Sequence, residues 1–491
     1  MNRTTLSLIA GVAALAAVTG FAAVSPPDTS GADTAEAAAR LPVERTSLLC
    51  PAPSTSDLAE TSYTSFTPVT KGTDEKGKAE LASVTGQDGK KKTVKPVLQP
   101  KAPGTPVTAE ISGADAPALV GTAEGSYAPG WTVQQTTQVA AGTGRGLLGV
   151  DCTAADTEFW FPGASTATGR TDYVHLTNPD DSAAVVDIEL YGKDGALKST
   201  VGEGITVPPH GNASLLLSTL SDVEQTDLTV HVGVRSGRVG AAVQALDAKT
   251  GGDWLTASAD PASDLVLPGI PKDATAVRLV LFTPGGTDAD LKVRIAAPSG
   301  SITPAGHETV HVKAGMTTGV DLGEVTRGEA GSLVLTPTAG AVPVVAAVRV
   351  VRGKGAEQES AFIPASGPVG ARATSVDNRA KSTTLSLAAP EEGAEVRVTA
   401  SAGTEGGTTA TRTYKLKGGT TQDVEAPVPA GLKGTYALTV ETVSGGPVYA
   451  SRTLTDPEDD DVASFTVQTL SDDRGTVAVP KAEEDLSVLQ R

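Results

Sequence analysis

The sequence predicts an all-β chain built as about four tandem immunoglobulin-like β-sandwich repeats after an N-terminal signal or anchor segment. Three observations carry that expectation. Composition is the first: 491 residues include 54 glycines and 32 prolines but only 3% aromatics, which favours short strands and turns over long helices. The second is periodicity, because runs such as Ala183–Tyr191 alternate apolar and polar residues with the strand period of two. The third is a recurring Leu-x-x-Pro: Leu48-Leu-Cys-Pro51, Leu176-Thr-Asn-Pro179, Leu281-Phe-Thr-Pro284 and Leu387-Ala-Ala-Pro390. Its prolines are 128, 105 and 106 positions apart (179 − 51, 284 − 179, 390 − 284), a domain-sized repeat.

The totals bound the rest. A chain of 491 residues is too long for one core and suits three or four domains. A formal charge of −18 argues against nucleic acid and anionic membrane surfaces as partners, since both need basic patches. Two cysteines rule out a zinc cluster.

Residues 1–39 read as a signal peptide or signal anchor with tether. Arg3 supplies a short positive region and Leu6 to Ala23 is uncharged and apolar, with small-x-small sites ending at Ala37 and Ala39. An alanine-rich run of this length is marginal for a spanning helix. Either reading places the remainder outside the cytoplasm, secreted or anchored to the outer face of the cytoplasmic membrane.

The repeats are then expected at 40–165, 166–270, 271–368 and 369–480, with a charged tail at 481–491. The second is the clearest. Tyr173–Thr177, Ala183–Tyr191, Ile205–Val207, Leu215–Leu217, Leu228–Val234 and Val239–Leu246 read as strands, with Val266-Leu-Pro-Gly269 closing the unit. About seven short strands in ~100 residues is the sandwich pattern. The first repeat diverges through a Lys-rich insertion at 71–101, and Phe159-Trp-Phe-Pro-Gly163 reads as its closing strand. A propeller is the architectural competitor, but its blades of ~40–45 residues are half the length of these units.

No catalytic, cofactor-binding or metal-ligating residue is singled out. Gly144-x-Gly146-x-x-Gly149 matches a dinucleotide fingerprint in letters only, because strand follows where a helix N-terminus is needed. His307 and His311 lie on a predicted strand, which sets them ~13 Å apart, too far for one metal. Asp456-Pro-Glu-Asp-Asp-Asp461 clusters oxygen ligands for calcium, with Asp247 and Asp253 in the equivalent loop of the second repeat, but a solvated acidic loop is the plainer account. Lys90-Lys-Lys92 reads as a solvated loop, with an acidic wall polymer as the lesser alternative. No Gly-x-Ser-x-Gly elbow occurs.

Cys50 and Cys152 are expected to form a disulfide across the first repeat. Cys50 sits in its opening strand and Cys152 ends the strand equivalent to Val239–Leu246, and export supplies the oxidising compartment. Two buried free thiols or an intermolecular bridge are the alternatives.

Leu48-Leu-Cys-Pro51, the later Leu-x-x-Pro repeats and the Val-Pro-Gly or Ile-Pro closures resemble an uncharacterised family of exported actinobacterial proteins. That resemblance implies an extracytoplasmic compartment and a repeat architecture, with no catalytic residues to transfer. The function expected is an exported, non-enzymatic cell-envelope structural or interaction protein, its partner an envelope protein or wall polymer. A carbohydrate-binding array is the alternative, needing exposed aromatics to stack on sugar rings. A hydrolase with an inter-domain site is the third reading.

Overall fold

The computed structural model describes residues 39–73, 76–84, 95–199, 201–355, 357–456 and 464–479. Residues 1–38 of the signal or anchor segment, Lys90–Lys92, Glu458–Asp461 and the tail 481–491 lie outside the described residues. Among the described residues no helix is long and apolar enough to cross a membrane.

The chain divides into two compact units. The described part of one is 39–41 and 477–479, most of the paired strands Ala39–Pro42 and Thr476–Val479, where Leu41 and Val477 are exposed. The other, Pro42–Thr476, holds the remaining sheets, all antiparallel where strands pair.

In that larger unit the sheets come as pairs around apolar cores, and the second pair shows the plan. Its seven main strands are Glu158–Ala164, Arg170–Thr177, Ala184–Gly192, Asn212–Leu216, Leu228–Ser236, Gly240–Asp247 and Gly251–Leu255. Numbered one to seven, they form one sheet in the order 3-5-1 and another in the order 4-2-6-7. The same two orders recur in the other three pairs, whose first strands are Arg45–Cys50, Leu265–Ile270 and Ala373–Asn378. Antibody domains instead group their strands as ABED and CFG. Here every connection from strand one to strand six changes sheet, and only six and seven form a hairpin within one. The alternation of period two explains the cores: Val174, Leu176, Val186, Ile188, Val230, Val232 and Val243 are buried between the two sheets. Each fully buried aliphatic side chain contributes about 1.5–3 kcal/mol relative to exposure.

Two sequence readings shift by one strand. Phe159–Gly163 and Val266–Gly269 open the second and third pairs rather than closing the first and second, because they hydrogen-bond to Leu228–Ser236 and Gly331–Pro337. Both are edge strands, which is why Pro162 and Pro268 are tolerated without an N–H to give. Each bulges at the following glycine, Gly163 (φ +107°) and Gly269 (φ +85°), and the fourth pair bulges at Asp377 (φ +54°). The Leu-x-x-Pro motif ends strand two at Pro179, Pro284 and Pro390, but Leu48–Pro51 lies on strand one. The first pair's strand two is Ala59–Phe66, which runs into Thr67-Pro68. Pro68 is therefore the equivalent position, and the anomalous spacing of 128 becomes 111 (179 − 68).

The pairs are not strung end to end; the first also touches the fourth. Between first and second, Gln244 Nε2 donates to Pro53 O at 2.7 Å, and Leu148 and Val150 pack on Trp254. Between second and third, Arg349 Nη2 donates to Asp247 Oδ2 at 2.8 Å and the hydroxyls of Thr250 and Ser360 meet at 3.0 Å. Between third and fourth, Phe465 and Val467 enter the third core and Thr421 Oγ1 donates to Ser332 Oγ at 2.9 Å. Between fourth and first, Phe66 packs with Val376 and Ala437, and Arg372 Nη2 donates to Pro129 O at 3.3 Å. The ring closes.

Closure makes a repeat less than self-sufficient. A fragment covering residues 157–258 is expected to melt well below the full chain, because excision uncovers the seam faces of Trp160 and Trp254. A fragment melting at the temperature of the intact protein would mean that the seams add nothing.

Candidate functional site

Cys50 and Cys152 are joined, with Cα atoms 4.5 Å apart. Cys50 ends strand one, while Cys152 follows strand seven (Gly146–Asp151) rather than the strand equivalent to Val239–Leu246. The bond thus ties the two sheets of the first pair, and Leu49 and Thr153 hydrogen-bond beside it. A disulfide points toward an oxidising, extracellular setting.

The other residues weighed from sequence do not converge. Gly149 is in mid-strand, where a Cβ would collide with Gln468 of the fourth pair, so it serves close packing and not a phosphate. His311 is exposed and faces Asp290 (2.8 Å) and Asp288 (3.3 Å). His231 bonds Glu189 at 2.8 Å and stacks on Trp160 with ring centres 3.9 Å apart. Asp247 accepts from the Lys249 and Thr250 amides and pairs with Arg349. Among the described residues no group of three or more His, Cys, Asp or Glu is placed to hold a metal.

What composition could not reveal is a cavity of about 210 Å³ where the first, second and fourth pairs meet. Leu49 and Asp151 reach it from the first pair, Phe159, His175 and Thr177 from the second, and Gln468 from the fourth. Alternation places His175: its neighbours Val174 and Leu176 fill the core between their own sheets, so His175 and Thr177 face the adjoining pair. The imidazole is 7% exposed, lies edge-on to Trp254 with centroids 5.1 Å apart and holds Ser214 Oγ at 3.0 Å through Nδ1. Gln244 also hydrogen-bonds the ring, and Gln468 Oε1 is buried without a hydrogen-bond partner.

Beside the cavity Asp151 and Arg452 act on one another through their fields alone, and the three guanidinium nitrogens of Arg452 are buried without hydrogen-bond partners. Burial pushes the Asp151 carboxyl up to about 6, against the pull of Arg452, and burial brings the Arg452 guanidinium down to about 10, opposed by Asp377 and Asp151. Burial lowers His175 to about 4, opposed by the side-chain hydrogen bond with Gln244. Near this junction Asp253 is 1% exposed, and its Oδ1 accepts from Gly149 N–H of the first pair (3.3 Å) and Thr466 Oγ1 of the fourth (2.9 Å). Burial holds its carboxyl well above the usual carboxylate range.

Residues 107–427 match the family of unknown function DUF5719. The chain belongs to that family. The match begins at strand four of the first pair (Val107–Ser112) and ends just past strand four of the fourth (Thr420–Val424). In this DUF5719 chain the matched span therefore covers three full periods of the ring, but it omits Leu49 and Gln468 of the cavity wall. No curated protein matches the chain.

The two titrating groups of the cavity act in opposite senses. His175 has a folded pKa below its unfolded value, so the unfolded chain gains the proton first and stability falls as pH drops from 6.5 to about 4. Asp151 has a raised folded pKa, so the folded chain gains the proton first and acidification from about 6 to 3.8 adds stability. On going from pH 7 to 4.5, His175→Gln should therefore lose less stability than wild type and Asp151→Asn should lose more. Urea melts at the two pH values check the signs; equal losses in all three proteins would contradict the burial of both groups.

Proposed function

We propose that the protein acts outside the cytoplasm as a non-enzymatic cell-envelope component, a rigid ring of tandem β-sandwiches that presents its outer loops to an envelope protein or wall polymer. Export through the 1–39 segment, cleaved or retained as an anchor, and an actinobacterial type of envelope are parts of the same reading. The observation that carries it is ring closure. Charged pairs that could have supported chemistry are engaged across the seams instead, as Arg349 with Asp247 and Arg278 with Asp227. A closed ring held this way has few soft internal motions, which suits holding a partner at fixed geometry.

The carbohydrate-array alternative, in its stacking form, is disfavoured by the burial of Trp131, Trp160 and Trp254, which are 3%, 7% and 2% exposed. Without an outward tryptophan, a flat polysaccharide chain lacks its usual platform.

The test is retention from envelope fractions by immobilised 41–491 protein, followed by binding of the retained component in purified form. A saturable interaction, kept when Cys50 and Cys152 are oxidised and weakened tenfold or more when reduction opens the first pair, is expected. Recovery of the native protein in the cytoplasm, with no envelope component retained, would overturn the reading.

A further inference from the structure

We propose that Asp253 is the central lock of the ring, a single carboxyl group through which the seams between the four pairs close as one event. This goes beyond the envelope reading and does not depend on it.

Strand order puts the lock at the centre. Strand seven ends its sheet in every pair, so one flank of it is left for a neighbouring pair. The four seventh strands use that flank on each other. Gly146–Asp151 packs on Gly251–Leu255, that strand on Glu359–Pro364, that on Phe465–Leu470, and the last on Gly146–Asp151 again. Backbone bonds tie two of these contacts, from Gly252 N–H to Arg145 O at 2.9 Å and from Ser360 N–H to Thr250 O at 3.0 Å.

Asp253 reaches every other strand of this inner circle. Its Oδ1 accepts from Gly149 N–H of the first pair at 3.3 Å and from Thr466 Oγ1 of the fourth at 2.9 Å. The Phe362 amide of the third pair and the Trp254 amide of its own strand also donate to the carboxyl. The second and fourth pairs are opposite one another in the circle, so the bond to Thr466 crosses the middle of the ring. Gly149 makes the crossing possible, because a Cβ there would stand 2.7 Å from Thr466 Cγ2 and 2.9 Å from its Oγ1. Each seam bond given for the fold joins two adjacent pairs, whereas Asp253 joins all four.

Burial turns this geometry into coupling. Asp253 is 1% exposed, Thr466 0% and Phe362 2%. A buried donor left without its acceptor costs the full desolvation of the group, which exceeds the net gain of the bond. Displacing any one pair takes a donor from the carboxyl and opens a path for water to the rest. The remaining bonds then lose the dry surroundings that strengthen them. The seams therefore hold together or loosen together.

The experiment is amide hydrogen exchange on the oxidised full chain, read at Gly252 in the first–second seam and Ser360 in the second–third seam. Thr466→Val keeps the side-chain shape and removes the hydroxyl, whose other bond, from Gln468 Nε2 at 2.7 Å, stays within the fourth pair. Although Thr466 belongs to neither seam, this variant should speed exchange at both amides by about tenfold, the worth of one net hydrogen bond. Thr421→Val is the control, because it removes a hydroxyl bond of 2.9 Å at the third–fourth seam away from the centre; it should cost the two amides clearly less. Calorimetry adds a second readout: the wild type should melt in one transition and Asp253→Ala in more than one. If Asp253→Ala fails to fold, the two threonine variants decide alone. The proposal is overturned if Thr466→Val speeds exchange only within the fourth pair, or if the two threonine variants cost Gly252 and Ser360 the same. It is equally overturned if a folded Asp253→Ala protein melts in one transition as the wild type does. All of these outcomes leave the envelope reading standing, because that rests on partner retention.

Discussion

The close approach of sheets at the seams between repeats is the constraint on which the rest of the structure depends. At three of these contacts one wall carries no side chain. A Cβ at Gly240 would sit 2.8 Å from Leu49 Cβ, one at Gly149 would collide with Gln468, and one at Gly319 would collide with Asp227. Interiors pack at crystal-like density, so one added methyl group would have to push aside Leu49 at Gly240 and the side-chain ends of Gln468 and Asp227 at the other two. These glycines adopt ordinary strand conformations, and their role is the missing side chain rather than unusual backbone freedom. Because the ring is closed, an error at one seam is carried round to the others.

The polar groups at the seams set geometry more than they add stability. Arg170 and Asp172 form a bidentate pair with side chains 8% and 0% exposed, and Arg349 lies close enough for its charge to bear on Asp172. Removing one partner of such a buried pair typically costs 3–5 kcal/mol, whereas replacing the whole pair by well-packed apolar residues is often neutral. That pair lies within one strand, and the register between the second and third pairs comes from Arg349. Arg349 of the third pair reaches Asp247 and Thr250 of the second only when the two strands lie at their observed offset. Apolar contacts among Trp160, Phe282 and Val345 then fill the same seam without fixing its alignment.

Strand content and repeat length were legible because both follow from local rules. Alternation reports burial, and proline marks strand ends. Which sheet a strand joins was not legible, because pairing is decided by partners far along the chain. Phe159–Gly163 is apolar on both faces, with Phe161 in the second core and Trp160 against Phe282 of the third pair. That pattern is equally compatible with closing one repeat or opening the next. The same blindness equated Leu48–Pro51 with the later motifs that end strand two, since Leu-x-x-Pro fits any strand that ends at a proline. His175 passed as one of several scattered histidines because its meaning lies in Gln468 and Asp151, 293 and 24 positions away (468 − 175, 175 − 151).

The cavity follows from the same closure. Sheets that meet face to face can fill the space between them with interlocking side chains. Three sheet pairs converging near one line leave a gap that no single strand can reach across. Here strand seven of the first and fourth pairs brings Asp151 and Gln468 to that gap, while strand two of the second brings His175. Filling it with large apolar residues would force apart seams that already lack room for a Cβ at Gly149 and Gly240. The gap is thus retained, and its polar lining must find partners or remain unsatisfied. Because its walls belong to three different pairs, the gap exists only while those pairs stay together.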